Sequence, residues 1–358
     1  MNTTLKSQKY NDLPGLVNAI GQDSTYTKSF NNFPQRAIST EVNPSFYDRI
    51  FLVESFVQAV MKTNSQAFDF EKSLDGVKLV ATHPPGVAFY SLLRVPRCHL
   101  PSKHEASVAS QVLQLVDHQL GLHSAIFTGD PMSPISKDGL RIEGEFINTY
   151  IEKVRQVAKS NKSKQALEER NRKSSSDFLK AKRGLDRMTH NLASVFVLRV
   201  DLTHREMYGK ECDLDEVSTQ LKSYLTTLNE LPLLGVIWKR EFIAETGYRH
   251  HMVALLNTDP STFPSHIYTE IHQRWLTATR NRGHAFFYSY DPANYRSAGC
   301  GYLVYPGHNY VPVLLESLKL MFERDRILRL EPSAKHSHSG VEVFTVASSK
   351  KVAYPTCL

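Results

Sequence analysis

Apolar residues recur three or four positions apart in several stretches of the chain, a spacing that is typical of helices burying one face. The stretches are 46–60, 108–116, 146–154, 217–228, 267–275 and 314–322. The first helix has a defined start, because Asn43 suits the N-cap and Pro44 suits the first helical position. Ser102 and Glu105 form a capping-box pattern ahead of the second stretch. The sequence therefore predicts a mainly helical region over residues 43–190.

Runs rich in β-branched and aromatic residues dominate the following part of the chain. They are 194–202, 233–242, 248–257, 285–291 and 301–305. The second and third runs flank a short turn before Gly247, which predicts a β-hairpin. Strands in this order among helices predict an α+β domain over 191–330, an antiparallel sheet covered on one face by helices. Residues 64–101 stay ambiguous, with strand-like runs at VKLVATH and GVAFYSLLRV. Residues 1–42 are predicted to form a polar arm and 331–358 a C-terminal tail.

The composition of the 358 residues, 41% hydrophobic and 22% charged, is that of a globular protein. A formal net charge of +7 favours a polyanionic partner. No apolar run is long enough to cross a membrane, and none near the N-terminus resembles a secretory signal. The four cysteines contain no CxxC pair, so neither a zinc site nor a disulfide framework is indicated. These features predict a cytoplasmic protein.

Positive charge is concentrated in residues 153–187, which hold 12 Lys or Arg and four Asp or Glu. Such a run is usually a solvated surface, and a solvated helical hairpin is the first interpretation. The alternative is a phosphate-contacting arm in which Lys180, Lys182 and Arg183 bind DNA without regard to its sequence. The two interpretations differ in whether binding to DNA weakens steeply as salt rises.

The strand run 248–257 carries the densest group of chemically active side chains. Because side chains alternate along a strand, Arg249 and His251 share one face while His250 lies on the other. His251 is a candidate metal ligand, with Glu241 on the neighbouring strand as a second one. The alternative is that His251 is hydrogen-bonded within the sheet and Glu241 is an ordinary carboxylate at the end of a strand.

Asp201 is the clearest anomaly among the strand runs, because it interrupts the otherwise apolar segment SVFVLRVDL. A carboxylate at such a position needs a partner, since the burial of an unpaired charge is costly. Arg199 or Arg249 can supply that partner. Whether the resulting pair is structural or functional stays open at this point.

Three patterns in this part of the chain resemble the YagK/YfjJ-type C-terminal domain, which occurs in replication proteins of filamentous phages and in mobile-element proteins of bacteria. The first pattern is Gly235-Val236-Ile237-Trp238-Lys239-Arg240-Glu241 followed by Gly247-Tyr248-Arg249-His250-His251-Met252, similar to a Trp-x-x-Glu strand followed by Gly-Tyr-His-x-His. The second is Arg199-Val200-Asp201-Leu202. The third runs from Arg282-Gly283-His284 to Tyr295-Arg296, with Gly299 and Gly301. The similarity covers about 193–330.

That domain is related to the HUH endonucleases. The resemblance therefore implies an HUH/RRM-like sheet, a Mg or Mn ion held by a His pair, and a tyrosine that attacks a DNA phosphate. The chain departs from this pattern at two positions, with Arg249 in place of the first histidine and Leu320 in place of the tyrosine. A guanidinium cannot coordinate a cation, but it binds phosphate well. Both departures favour a DNA-binding module over a nickase.

The resemblance thus predicts a DNA-binding, replication-initiation-type protein of a phage or mobile element that acts on single-stranded or hairpin DNA. The predicted DNA contacts on the hairpin are Arg249, His250, Lys239 and Arg240. One alternative is an active, metal-dependent rolling-circle nickase that uses a relocated tyrosine. The candidates for it are Tyr288, Tyr290, Tyr295, Tyr302, Tyr305 and Tyr310. Another alternative is a non-catalytic regulatory or assembly protein that binds protein or RNA.

Overall fold

The computed structural model describes residues 44–74, 76–94, 103–122, 127–136, 141–190, 192, 194–205, 211–243, 247–257, 265–288, 301–304 and 310–344. Contacts divide the chain into two units. The first comprises Met1–Leu100, Glu105–Lys173 and Arg324–Arg329, and the second Pro101–His104, Ser174–Glu323 and Leu330–Leu358. The predicted polar arm 1–42 lies outside the described residues.

The described elements are eight helices and ten strands, with 3-10 turns at Leu228–Glu230 and Arg324–Arg326. In chain order they are α1 (Pro44–Lys62), β1 (Phe68–Ser73), β2 (Gly76–Thr82), α2 (Pro84–Leu93), β3 (His104–Glu105), α3 (Val108–Gln119), α4 (Glu143–Ala158), α5 (Asn161–Thr189), β4 (Ser194–His204), α6 (Leu214–Thr227), β5 (Leu233–Ile243), β6 (Gly247–Leu256), α7 (Ser265–Ala278), β7 (Gly283–Phe287), β8 (Gly301–Val304), α8 (Tyr310–Glu323), β9 (Arg329–Leu330) and β10 (Ser339–Val343).

The first unit packs α1, α2, α3 and α4 around one apolar core, beside the antiparallel β1–β2 hairpin. The ambiguity of residues 64–101 is resolved here: most of the run VKLVATH forms β2, whereas residues 86–93 of the run GVAFYSLLRV belong to helix α2. Pro84 and Pro85 occupy the first two positions of α2, where their fixed φ suits a helix and their missing N–H costs nothing. The N-cap of α3 is Ser107, whose Oγ accepts a hydrogen bond from the N–H of Ser110 at 3.1 Å. The predicted cap, Ser102, lies outside the described residues.

The second unit contains a six-stranded antiparallel sheet in the order β10–β5–β6–β4–β7, with β8 also paired to β4. One face packs against α6 and α7, which contribute Leu221, Tyr224, Ile271 and Trp275 to its core. The other face packs against the C-terminal part of α5 and against α8. The α+β prediction is confirmed, but helices cover both faces of the sheet and not one. Both faces of β4, β5 and β6 carry apolar side chains, and each face is shielded from water by a layer of helices.

Most of the basic segment 153–187 lies in a single long helix, α5. α5 runs without a break over 29 residues, and the division between the two units falls within it, between Lys173 and Ser174. The predicted boundary near 190 instead marks the start of the sheet. Within the second unit, α5 is not solvated on all sides, because Ala181, Leu185 and Met188 are buried in the core.

The predicted C-terminal tail contains a strand. β10 pairs in antiparallel register with β5 and forms one edge of the described sheet. Two glycines permit this close packing. A Cβ on Gly184 of α5 would lie 2.3 Å from Cγ1 of Val341, and a Cβ on Gly340 would lie 2.6 Å from Nε1 of Trp238. The sequence did not predict β10, because its five residues follow a polar run and show little alternation.

Candidate functional site

Strands β4, β5 and β6 bring several ionisable side chains to the sheet face that α5 and α8 cover, and four of them form one group. Asp201 lies directly opposite His251, and Arg249 lies directly opposite Glu241. Because residues in register share a face, and so do residues two apart on one strand, all four belong to the same side. The same-face prediction for Arg249 and His251 is confirmed. We call Asp201, Glu241, Arg249, His251 and Tyr288 the ionic cluster.

His251 is held between two carboxylates. Its Nδ1 is 2.7 Å from Oδ1 of Asp201, and its Nε2 is 2.8 Å from Oε2 of Glu241. Burial alone would lower the pKa of His251, but the charges of Asp201 and Glu241 outweigh it and raise that pKa above its ordinary value. The imidazole therefore carries a proton on each nitrogen and donates both. Of the two interpretations from the sequence, the hydrogen-bonded histidine is the one that this geometry supports.

Asp201 is the centre of the ionic cluster. Tyr288 donates a 2.9 Å hydrogen bond to Oδ2 of Asp201, and Nη1 of Arg249 lies 3.6 Å from the same oxygen. Burial alone would raise the pKa of Asp201, but the neighbouring charges of His251 and Arg249 lower it below its ordinary value. The expectation that Asp201 needs a partner is met by Arg249, together with two partners that sequence reasoning missed, His251 and Tyr288.

Arg199, the other predicted partner of Asp201, makes different contacts. Its guanidinium lies 4.6 Å from the centroid of the Tyr288 ring, and its Nη1 donates a 2.7 Å hydrogen bond to Oγ of Ser317 on α8. Arg199 thus packs against the tyrosine that bonds Asp201 and ties β4 to α8. No local sequence signal pointed to Ser317, because its partner lies 118 residues away in the chain.

The arrangement does not fit the divalent metal that the resemblance implies. Both ring nitrogens of His251 point at carboxylate oxygens, and the remaining cation of the cluster is the guanidinium of Arg249, which has no lone pair to offer. Among the described residues, no group of three or more His, Cys, Asp or Glu side chains is arranged to hold a metal ion. The structure therefore brings His251 and Glu241 together as hydrogen-bond partners and not as ligands.

The four hairpin residues predicted to contact DNA are all buried, which contradicts that role. The exposed fractions are 2% for Lys239 and Arg240, 6% for Arg249 and 0% for His250. Nζ of Lys239 donates a 2.6 Å hydrogen bond to the carbonyl of Met321, near the C-terminal end of α8, where a cation is favourable. The prediction assumed an uncovered sheet face, whereas helices cover both.

The three basic residues predicted on α5 are exposed. The side chain of Lys180 is 66% exposed, and its Nζ lies 3.5 Å from Oδ1 of Asp177. Lys182 and Arg183 are also exposed, and neither forms an ion pair with any residue that the structure describes. Arg187 is exposed one turn beyond Arg183. Because Lys180, Arg183 and Arg187 are spaced by three and four residues, they form one stripe along the helix.

The candidate nucleophiles are only partly described. Tyr288 is 8% exposed and belongs to the ionic cluster. Tyr290, Tyr295 and Tyr305 lie outside the described residues, as do the side chains of Tyr302 and Tyr310. Leu320, which the resemblance matches to the family's tyrosine, is half-buried on α8, next to the buried Met321.

No family model, no curated protein and no solved structure matches this chain. The resemblance drawn from the sequence therefore stays a prediction. None of the helices in the described part of the chain is long and apolar enough to cross a membrane.

Proposed function

We propose that the protein binds DNA without cleaving it, as a replication-initiation-type protein of a phage or mobile element. The observation that carries the proposal is the exposed basic stripe of α5. Within the second unit the stripe presents Lys180, Arg183 and Arg187, and Lys182 is also exposed on this helix. Lys182, Arg183 and Arg187 form no ion pair with described residues. Exposed cations spaced along a rigid helix suit phosphate contacts, which position a protein on DNA but read no bases.

The ionic cluster supports the non-catalytic form of the proposal. A nickase of the HUH endonuclease type needs a divalent metal ion to stabilise the negative charge that develops on the phosphate. Here the imidazole of His251 donates two protons to carboxylates, and Arg249 faces Asp201. Charges of opposite sign therefore face one another in the cluster, and all of its side chains except Glu241 are at least nine-tenths buried. The cluster therefore serves to hold β4, β5 and β6 together.

The test is the salt dependence of binding to single-stranded DNA. Replacement of Lys180, Lys182 and Arg183 by Ala should reduce the slope of log K against log salt by about 0.7 for each phosphate contact that is lost. The matched control removes three exposed cations elsewhere on the second unit, in the variant Lys222→Ala, Arg205→Ala, Lys335→Ala. An unchanged slope in the α5 variant, or an equal change in the control, contradicts the proposal. Absence of DNA binding in the wild type favours the regulatory or assembly alternative.

A second candidate, the nickase with a relocated tyrosine, has one observation in its favour. The hydroxyl of Tyr288 is bonded to a buried carboxylate, which is an acceptor for its proton. The wild type and Tyr288→Phe should be incubated with single-stranded circular DNA and manganese, then denatured and resolved on a gel. A covalent adduct that the variant does not form would establish the nickase and exclude the non-catalytic proposal.

A further inference from the structure

A polar row lies in the middle of the sheet face that α6 and α7 cover. Arg240 of β5 is directly opposite His250 of β6, between the apolar pair Trp238–Met252 and the aromatic pair that follows it. Arg240 is 2% exposed and His250 is 0% exposed. Apolar rows are expected at such positions, and a buried polar pair needs partners for its hydrogen-bonding groups.

Those partners are missing within the described part of the chain. Both ring nitrogens of His250, Nε of Arg240 and Nε1 of Trp238 are buried and form no hydrogen bond there. The groups are neighbours, because the ring centroids of Trp238 and His250 are 6.3 Å apart and the Arg240 guanidinium lies 5.9 Å from the Trp238 ring. Nε of Arg240, Nε1 of Trp238 and one imidazole nitrogen of His250 are therefore N–H donors for which the described residues supply no acceptor.

The row also carries one uncompensated positive charge. No carboxylate pairs with Arg240 among the described residues, and its side chain donates only to the carbonyl of Ser337, at 3.3 Å. Burial lowers the pKa of Arg240 to about 10, which leaves it charged at neutral pH. Burial, reinforced by the charge of Arg240, lowers the pKa of His250 well below its ordinary value, so this imidazole is neutral. A buried charge without a counter-charge is costly.

We infer that Arg240, Trp238 and His250 form an interior binding site for one small monovalent anion of the chloride class. One negative charge balances the single guanidinium, whereas a divalent oxyanion would leave an excess charge in the interior. The contact between Arg240 and Ser337, an exposed residue, places the guanidinium near a route to solvent. This site does not depend on the proposed binding of DNA.

The first experiment compares thermal unfolding in sodium chloride and in sodium gluconate at equal ionic strength. Chloride should raise the melting temperature saturably, by about 3 °C at ten times its dissociation constant, and Arg240→Met should abolish that rise. The matched control is Arg170→Met, because Arg170 is also 2% exposed but has a carboxylate partner, Glu105, at 3.4 Å. The control should keep the chloride effect. Equal melting temperatures of the wild type in the two salts would overturn the inference.

The second experiment uses the wild type alone, so it holds even if the Arg240 variant does not fold. The chain has two tryptophans, Trp238 and Trp275, and both rings lie against His250. Bromide should therefore quench the tryptophan fluorescence saturably, and chloride should compete with it. Crystals soaked in bromide should show an anomalous peak within hydrogen-bonding distance of Nε of Arg240. Linear quenching and no peak at this position would mean that ordered water alone fills the site.

Discussion

His250 and His251 are neighbours in the chain, yet the two faces of the sheet give them opposite environments. His251 bonds a carboxylate at each ring nitrogen, and its pKa is raised. His250 bonds no described residue at either nitrogen, and its pKa is lowered well below the ordinary value. Both are nearly inaccessible to solvent, at 6% and 0% exposure. Burial is therefore common to both, and the charge of the neighbours decides the sign of the shift.

The register of the sheet produces this difference. Each histidine is opposite a basic residue on β5, Lys239 for His251 and Arg240 for His250. On β4, however, His251 is opposite Asp201, whereas His250 is opposite Leu202. A shift of one residue in the pairing would exchange the two faces. Of the two adjacent imidazoles, that of His251 is protonated and links Asp201 to Glu241 on one face of the sheet. That of His250 is neutral and lies beside the buried guanidinium of Arg240 on the other face.

The largest expected effect comes from removing the centre of the ionic cluster. Asp201→Ala leaves His251 and Arg249 without their shared carboxylate, and it should lower the free energy of unfolding by about 3–5 kcal/mol. Urea denaturation measures this loss. The control is Glu230→Ala, since Glu230 has a side chain that is 73% exposed and pairs with Arg274. Its loss should stay below about 1 kcal/mol, and a similar loss in both variants would contradict the structural role of the cluster.

A paired substitution tests the two histidines directly. His251→Phe leaves the carboxylates of Asp201 and Glu241 without their shared hydrogen-bond donor, and it should lower the free energy of unfolding by about 3 kcal/mol. His250→Phe replaces an imidazole without hydrogen bonds by a ring of similar shape, and it should change that energy by less than about 1 kcal/mol in gluconate. In chloride, His250→Phe should show a smaller rise in melting temperature than the wild type. An equal loss of unfolding free energy in the two variants in gluconate would contradict the difference between the two histidines.

The pH dependence of stability should have opposite signs at the two positions. The raised pKa of His251 contributes stability that is complete below about pH 6.5 and is lost as pH rises through its folded value. The lowered pKa of His250 contributes stability that is present above about pH 6.5 and is lost as pH falls toward its folded value. Each slope is at most about 1.4 kcal/mol per pH unit. Urea unfolding from about pH 5 to about pH 9 should show the alkaline loss vanish in His251→Phe and the acid loss shrink in His250→Phe.

The smallest expected effect concerns metal binding at the ionic cluster. Calorimetry with manganese should detect no tight site in the wild type, because His251 donates from both nitrogens and Arg249 supplies positive charge. Arg249→His should give measurable binding, since it places a second imidazole two residues from His251 on the same face. Arg249→Met is the control, because it removes the charge and adds no nitrogen ligand. A tight one-to-one site in the wild type would reverse the interpretation of the cluster.

Several elements followed from the sequence because their signals are local. The helical spacing of Val217 and Leu221, the hairpin turn before Gly247 and the apolar run of β4 each predicted an element that the structure contains. Alternation likewise predicted that Arg249 and His251 share a face. The same reasoning failed at α2, where an apolar run with two prolines at its start suits a strand or a helix equally until its packing is known.

The residue types, and the side of each strand on which they lie, could be read from the sequence alone. The sequence therefore predicted that Asp201 needs a partner and that Lys180, Lys182 and Arg183 belong to a basic segment. Which face each helix covers, and so which cations are buried and which are exposed to solvent, depends on the packing of the folded chain. Lys239, Arg240 and Arg183 all carry basic side chains. Lys239 and Arg240 are only 2% exposed, whereas Arg183 lies on the surface. Burial depends on contacts between residues far apart in the chain, and no local pattern encodes those contacts.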